Sequence, residues 1–388
     1  MGLRRTGRAG AGVVGALCAG LVAVGLSACG GAAVTDATSP RACTNASELA
    51  TWPLARLANE TVAVPTQAVD TASLAALVKE NYGGILLFGT TAPKNLGATI
   101  TKLDATTGGA GLLIMTDEEG GGVMRLDNLV TAIPWAQTMG KTMTPAQITA
   151  VARRVGAQLL AAGVNMDLAP VLDVDGRAVY PGAADPDGFR SFSGSTATVI
   201  ADGTAFMQGL AQSGVIPVAK HFPGLGGSSG NTDDGPASTL PWTTLEAGGL
   251  RTFAAAIAKG VPSIMVSNAT VPGLSSIPAS LSATVMTTEL RQKLHFTGLV
   301  MTDSLTAGAI SALHISVPTA AARAVIAGAD LVLLGDLGSV KADVALAKQT
   351  SQGIVLAVEH GQLSRAQLTS AVLYDLTARH ALLCTAAP

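Results

Sequence analysis

An eight-stranded α/β barrel, (β/α)8 of the TIM type, is the fold this sequence predicts. Three observations predict it. Short apolar runs alternate with helix-like segments along the chain. Nearly every run ends in a chemically capable side chain. The 388-residue chain, less its first 48 residues, is long enough for one such barrel with long loops.

The runs come in order. A weak strand candidate at residues 62–65 is followed by GGILLFG (83–89), GLLIMTDEEGG (111–121) and VNMDLAPVLDV (164–174). VIPVAKHFPG (215–224), PSIMVSNA (262–269), GLVMTDS (298–304) and ADLVLLGD (329–336) complete the set. Each is too short for a helix and rich in branched residues, as strands buried on both faces require. Helix-like segments at 145–163 and 318–329 lie between runs. An open doubly wound sheet is the alternative. Asp117, Asp173, Lys220, Asn268, Asp303 and Asp336 favour the barrel, because they end six different runs. Barrel sites draw on many strand ends, whereas an open sheet concentrates its site at one switch point.

The first residues belong to a leader. Arg4, Arg5 and Arg8 precede the apolar stretch 11–28, which closes on Leu26-Ser27-Ala28-Cys29. A basic head, an apolar middle and small residues before a cut describe a secretory signal, residues 1–28. The LSAC tetrapeptide resembles a bacterial lipobox, which implies lipid attachment to Cys29 and a membrane-anchored, exported protein. A plain membrane-spanning anchor is the competing reading. Residues 29–48 are small and polar and read as a tether, leaving 49–388 for the barrel. Of the four cysteines, Cys43 and Cys384 remain as an even pair in an oxidising compartment. Because domain termini often lie close together, a bridge between them is expected, with two free thiols as the alternative.

Composition excludes several classes. Net charge is -2, hydrophobic residues make up 48% and no long basic or acidic run occurs, so nucleic acid is not an expected partner. His221, His295, His314, His360 and His380 show no metal-like pairing, and no cysteine cluster exists. The GLGGSSG loop lacks the spacing of a nucleotide-binding turn and no helix pattern follows it.

The polar ends carry the candidate chemistry. Asp303 directly follows a buried run; it is either a catalytic carboxylate or a helix cap, and Ser304 or Thr306 can supply the cap. Asp117, Glu118 and Glu119 precede three glycines and Arg125, so one acid of the three is expected to face a ligand. Arg190 sits between aromatics, as a surface charge or a forked donor to ligand oxygens. Lys220 and His221 end a buried run, where a charge must either pair internally or face a pocket.

The ordered set GGILLF, TDEEGGGVMRL, VNMDLAPVLDV, FRSF, KHFPG, GLVMTDSL and AGADLVLL resembles glycoside hydrolase family 3. It is most similar to the single-domain bacterial β-N-acetylhexosaminidases. The resemblance covers residues from about 60 to about 375. It implies a (β/α)8 barrel and retaining hydrolysis of terminal β-linked N-acetylglucosamine, hence a carbohydrate substrate with no cofactor needed. Because the chain ends soon after the eighth-helix region, the second domain of larger members is not expected, and a monomer is expected. It places Asp303 as nucleophile, and Asp117, Arg125, Arg190, Lys220 and His221 at sugar-binding positions.

The departures lie in one loop. The family pattern continues K-H-F-P-G-H-G and then an Asp-x-His pair whose imidazole is the acid/base. Here those positions hold Leu225, Asn231 and Asp233. Glu118 stands where the family has Gln, and Asn268 where His is common. Asp233 is therefore the expected proton donor, delivered by a mobile lid over residues 224–235, with Asp234 the neighbouring candidate. Peptidoglycan fragments are the expected substrate; a glycan-binding lipoprotein without turnover and a β-glucosidase are the alternatives.

Overall fold

Eight parallel strands follow one another around the sheet in chain order. They are β1 (Val62–Gln67), β2 (Gly84–Phe88), β3 (Ile114–Thr116), β4 (Met166–Asp167), β5 (Ile216–Phe222), β6 (Ser263–Val266), β7 (Leu299–Thr302) and β8 (Val332–Leu333). β1 pairs with both β2 and β8, and a parallel bridge from Met301 to Leu331 closes the ring between β7 and β8. The expected (β/α)8 TIM-type barrel is what the chain forms, and the weak candidate at 62–65 is its first strand. This structure, a computed structural model, describes residues 46–107 and 111–379. Leader residues 1–28, tether residues 29–45 and the cysteines Cys29, Cys43 and Cys384 lie outside the described residues. Among the described residues no helix is long and apolar enough to cross a membrane.

Local chemistry explains where the helices start and stop. Helix Pro145–Ala161 begins with a capping box, the Thr144 and Gln147 side chains bonding each other's backbone N–H, and with Pro145 in its first turn. Helix Val317–Ala327 is capped by Ser316 and ends at left-handed Gly328, and helix Thr196–Ser213 ends the same way at Gly214.

Two apolar layers result. Inside the barrel, Met115, Met166, Met265 and Met301 pack with Leu168 and Val218. Unbranched methionines fill this space in a chain that is only 3% aromatic. Outside, the other strand faces and the helices bury a second and larger cluster. Because every strand pair is parallel, the carboxyl ends of all eight strands meet at the same rim.

Candidate active site

The rim surrounds a cleft of about 490 Å³. Asp117, Arg125, Arg190, Lys220, His221, Asp233 and Asp303 all line it. Every candidate catalytic and sugar-binding residue is therefore brought to one place, from the ends of β3, β5 and β7 and from three loops.

Asp117 and Glu119 are two apart in an extended segment after β3, so their side chains share one side. Both face the cleft, and Glu118 points the other way, into the protein. One acid of the three was expected there; the alternation of an extended chain supplies two. Glu119 proves central. Its carboxylate accepts two hydrogen bonds from the Arg190 guanidinium, each 2.8 Å, and pairs with Lys220 Nζ at 2.6 Å. Burial would raise this acid, yet Arg190 and Lys220 hold it well below the usual range. Lys220 also donates to Asp117 at 2.7 Å. Burial favours a neutral Lys220, but the two carboxylates more than offset it and raise its pKa. Internal pairing and pocket-facing thus coexist at Lys220. Arg125 lies 4.0 Å from Asp117 and stacks over the Phe88 ring.

His221 is held from below. Asp173 accepts from its Nδ1 at 2.6 Å and from its backbone N–H, and takes a further 2.6 Å bond from the Leu225 N–H. On the other side, Nε2 lies 3.5 Å from Arg190. Burial first, then the Arg190 charge, push the imidazole down to about 4, so His221 is neutral at ordinary pH with its proton on Nδ1. Burial raises Asp173 to about 6 against the backbone N–H bonds that it accepts.

Asp187 completes this layer and carries no signal in the sequence beyond a Pro/Gly/Asp-rich loop. It is fully buried, and neither carboxyl oxygen has a hydrogen-bond partner. Burial, then the Asp173 charge, raise it well above the carboxylate range. Ligand atoms of Asp173, Asp187 and His221 lie within 4.8 Å of one another. The fold thus builds a potential cation site that histidine spacing does not announce. Its donors suit a proton better than a metal: Asp173 is already engaged through both oxygens, and Arg190 adds positive charge beside it.

Asp303 follows β7, and its Oδ1 accepts a 2.7 Å bond from the Ser304 N–H. Helix Gly308–Ser311 starts after Ala307 with no side-chain cap, so Asp303 does not serve it. Burial raises the carboxyl, His221 opposes, and the charge of Asp233 raises it further. Asp233 lies exposed at the cleft mouth. Although its surface is exposed, partial desolvation by the cleft walls raises its carboxyl, with Arg190 opposing and Asp234 adding to the rise. The loop that carries it is fastened on both flanks: the Asn231 N–H donates to the Ala183 carbonyl, and the Gly308 and Ala309 N–H groups donate to the Asp233 and Thr232 carbonyls. Leu225, in the position of the family's first loop histidine, is buried. Asn268 is structural; it donates to the Ser304 carbonyl and accepts from Ser280.

A parallel barrel that gathers acids and fixed polar donors at its carboxyl rim suits glycoside hydrolysis among the chemistries this fold supports. The model of the glycosyl hydrolase family 3 N-terminal domain matches residues 57–374, and the chain belongs to that family. It is a glycoside hydrolase of the β-hexosaminidase-like kind. The β-hexosaminidase LpqI of Mycobacterium tuberculosis is 35% identical over 278 residues, 68% of this chain and 69% of that protein. The solved structure of M. tuberculosis LpqI superposes with a TM-score of 0.76 at 31% identity, covering 88% of this chain and 98% of that one. A β-N-acetylhexosaminidase from Beutenbergia cavernae gives a TM-score of 0.76 at 30% identity, covering 85% and 99%.

Proposed function

We propose that the protein is a retaining exo-β-N-acetylglucosaminidase in which a lid carboxylic acid replaces the family's imidazole. The observation that carries this reading is that Asp303 and Asp233 line one cleft, each with its proton affinity raised there: Asp303 by burial with the Asp233 charge adding, Asp233 by desolvation with the Asp234 charge adding. A carboxylic acid that keeps its proton can serve as donor opposite an ionised carboxylate, the division of roles a retaining glycosidase needs.

In the first step the Asp303 carboxylate attacks the anomeric carbon. The glycosidic C–O bond breaks, and Asp233 gives its proton to the departing oxygen. A covalent glycosyl-Asp303 ester remains. In the second step Asp233 takes a proton from water, the oxygen attacks the same carbon, and the ester bond breaks to regenerate Asp303. Asp117, Arg125, Arg190, Lys220 and His221 hold the sugar hydroxyls, with Glu119 keeping Arg190 and Lys220 charged and fixed.

The substrate class is peptidoglycan fragments ending in N-acetylglucosamine, processed on the outer face of the membrane by a protein tethered through lipidated Cys29. Two relatives whose names state β-hexosaminidase or β-N-acetylhexosaminidase activity support the glycon; the leader supports the location. A chromogenic β-N-acetylglucosaminide tests the activity: turnover well above buffer is expected, and above that of the matching β-glucoside. Cys29→Ser is expected to abolish incorporation of labelled fatty acid; unchanged labelling excludes the anchor.

A second reading, a glycan-binding protein without turnover, is favoured by the same loop, where Leu225, Asn231 and Asp233 replace the family's histidines and aspartate. Sugar binding with no turnover establishes it.

A further inference from the structure

Beside the cleft lies a group of aromatic rings that no step above uses. Tyr180 is 74% exposed, the largest exposure among the described large apolar and aromatic side chains that stand out at the surface. Its ring meets Phe189 edge-on at 5.1 Å and Trp135 at 6.1 Å. Trp135 is seated on the glycine turn after Glu119: a Cβ at Gly121 would fall 2.0 Å from its ring. These rings therefore sit on a fixed support rather than on a loose loop.

The loop that carries Tyr180 is braced as well. Arg177 forks between Asp175 and Asp185, with contacts of 2.7 Å to each. Asp185 in turn accepts from the Asp187 and Gly188 N–H groups, and the Phe189 N–H donates to the Val179 carbonyl. Tyr180 is thus held out toward solvent by a loop whose ends are pinned.

Its position relative to the cleft is informative. Pro181 and Gly182, the next two residues, line the cleft, and Phe189 precedes Arg190, which lines it too. The same loop receives the acid-bearing lid, through the Asn231 N–H bond to Ala183. A general acid stands on the leaving-group side of the scissile bond. The aromatic group therefore flanks the leaving-group side.

We propose that Tyr180, backed by Phe189 and Trp135, forms a stacking platform for the sugar ring directly attached to the departing oxygen. The platform rests on the glycosidase reading of the neighbouring cleft. A pyranose ring presents an apolar face of C–H groups, and an exposed phenol ring offers a large, rigid, amphipathic surface with little conformational entropy to lose. The specificity that follows is for a glycan aglycone over a small alkyl one.

The test compares Tyr180→Ala and Tyr180→Phe with the parent chain, using N,N′-diacetylchitobiose as substrate and N-acetylglucosamine as product inhibitor. Losing one stacked ring is expected to raise the KM for the disaccharide about 5- to 10-fold. The inhibition constant of the monosaccharide, which fills the glycon end, should stay within about 2-fold. Tyr180→Phe should retain the parent KM. An unchanged disaccharide KM in Tyr180→Ala overturns the platform, and so does an equal loss for the monosaccharide. Should the chain bind glycans without turnover, calorimetry reads the same comparison. Weaker chitobiose binding by Tyr180→Ala supports the platform; equal binding, or no binding by the parent, refutes it.

Discussion

At the residue scale, two carboxyl groups raised by burial serve different ends because one faces the cleft and the other faces the protein interior. Asp303 is open to the cleft and faces the neutral His221 and charged Lys220. Asp303→Ala is expected to lower kcat/KM by on the order of 10³-fold or more while the melting temperature stays near the parent value. Near-parent activity in a folded variant removes it from the mechanism. Glu118 is wholly buried. Its Oε1 accepts from the Arg125 and Leu126 N–H groups, while Oε2 has no partner. Burial first, with Asp117 and Asp127 adding and those N–H bonds opposing, raises it from 4.5 to about 7. Below it Asp167, also pushed well up by burial, accepts from the Glu118 N–H. A neutral Glu118 has the shape of the family's Gln. Because the folded chain binds the proton more tightly, stability is fullest below about pH 4.5 and falls as pH rises toward about 7, by roughly 3 kcal/mol at most. Glu118→Gln removes that fall, so denaturant melts should show its advantage over the parent growing between pH 5 and pH 8. An equal difference at both pH values contradicts this assignment. Such effects were not legible in the sequence. Asp117 and Asp303 announce themselves by following apolar runs, but the direction of Glu118 depends on the pleat, and the burial of Asp187 on long-range packing.

At the element scale, the lid between Gly224 and Gly235 is the segment that decides the chemistry. Its entry is tight: a Cβ on Gly226 would lie 2.3 Å from the Val174 carbonyl oxygen, backbone that cannot swing aside. Gly226→Ala should therefore cost about 1–3 kcal/mol of stability and displace the lid, lowering kcat/KM. A variant with parent melting temperature and parent activity sinks the idea that this approach positions the acid. The glycines marked the loop in the sequence, and its departures from the family pattern marked Asp233. Its fastening to Ala183 and to helix Gly308–Ser311 was hidden, because both partners lie far away along the chain. Strands were legible for a different reason. Runs buried on both faces need continuous apolar sequence, so even β4, short at Met166–Asp167, stood out within its run.

At the scale of the whole molecule, the two rims of the barrel serve different ends. The far side from the cleft is sealed by charge. Arg379 pairs with Glu60 at 2.8 Å and with Asp375, and all three are almost fully buried. Arg379→Met leaves two buried carboxyl groups without their cation, a change that typically costs about 3–5 kcal/mol. Thermal melts should show a midpoint several degrees lower, with KM for substrate unchanged, because no part of the cleft is touched; an unaltered midpoint contradicts the role. The opposite rim carries the account's central claim, that a lid carboxylic acid serves a family 3 barrel that lacks the usual imidazole. Comparing Asp233→Ala and Asp234→Ala on aryl β-N-acetylglucosaminides of graded leaving-group acidity tests it most directly. Asp233→Ala should lose little rate on the most acidic phenol and progressively more, on the order of 10²-fold or beyond, on poor leaving groups, while Asp234→Ala follows the parent. A uniform loss across the series in Asp233→Ala, or the graded loss in Asp234→Ala instead, would contradict it.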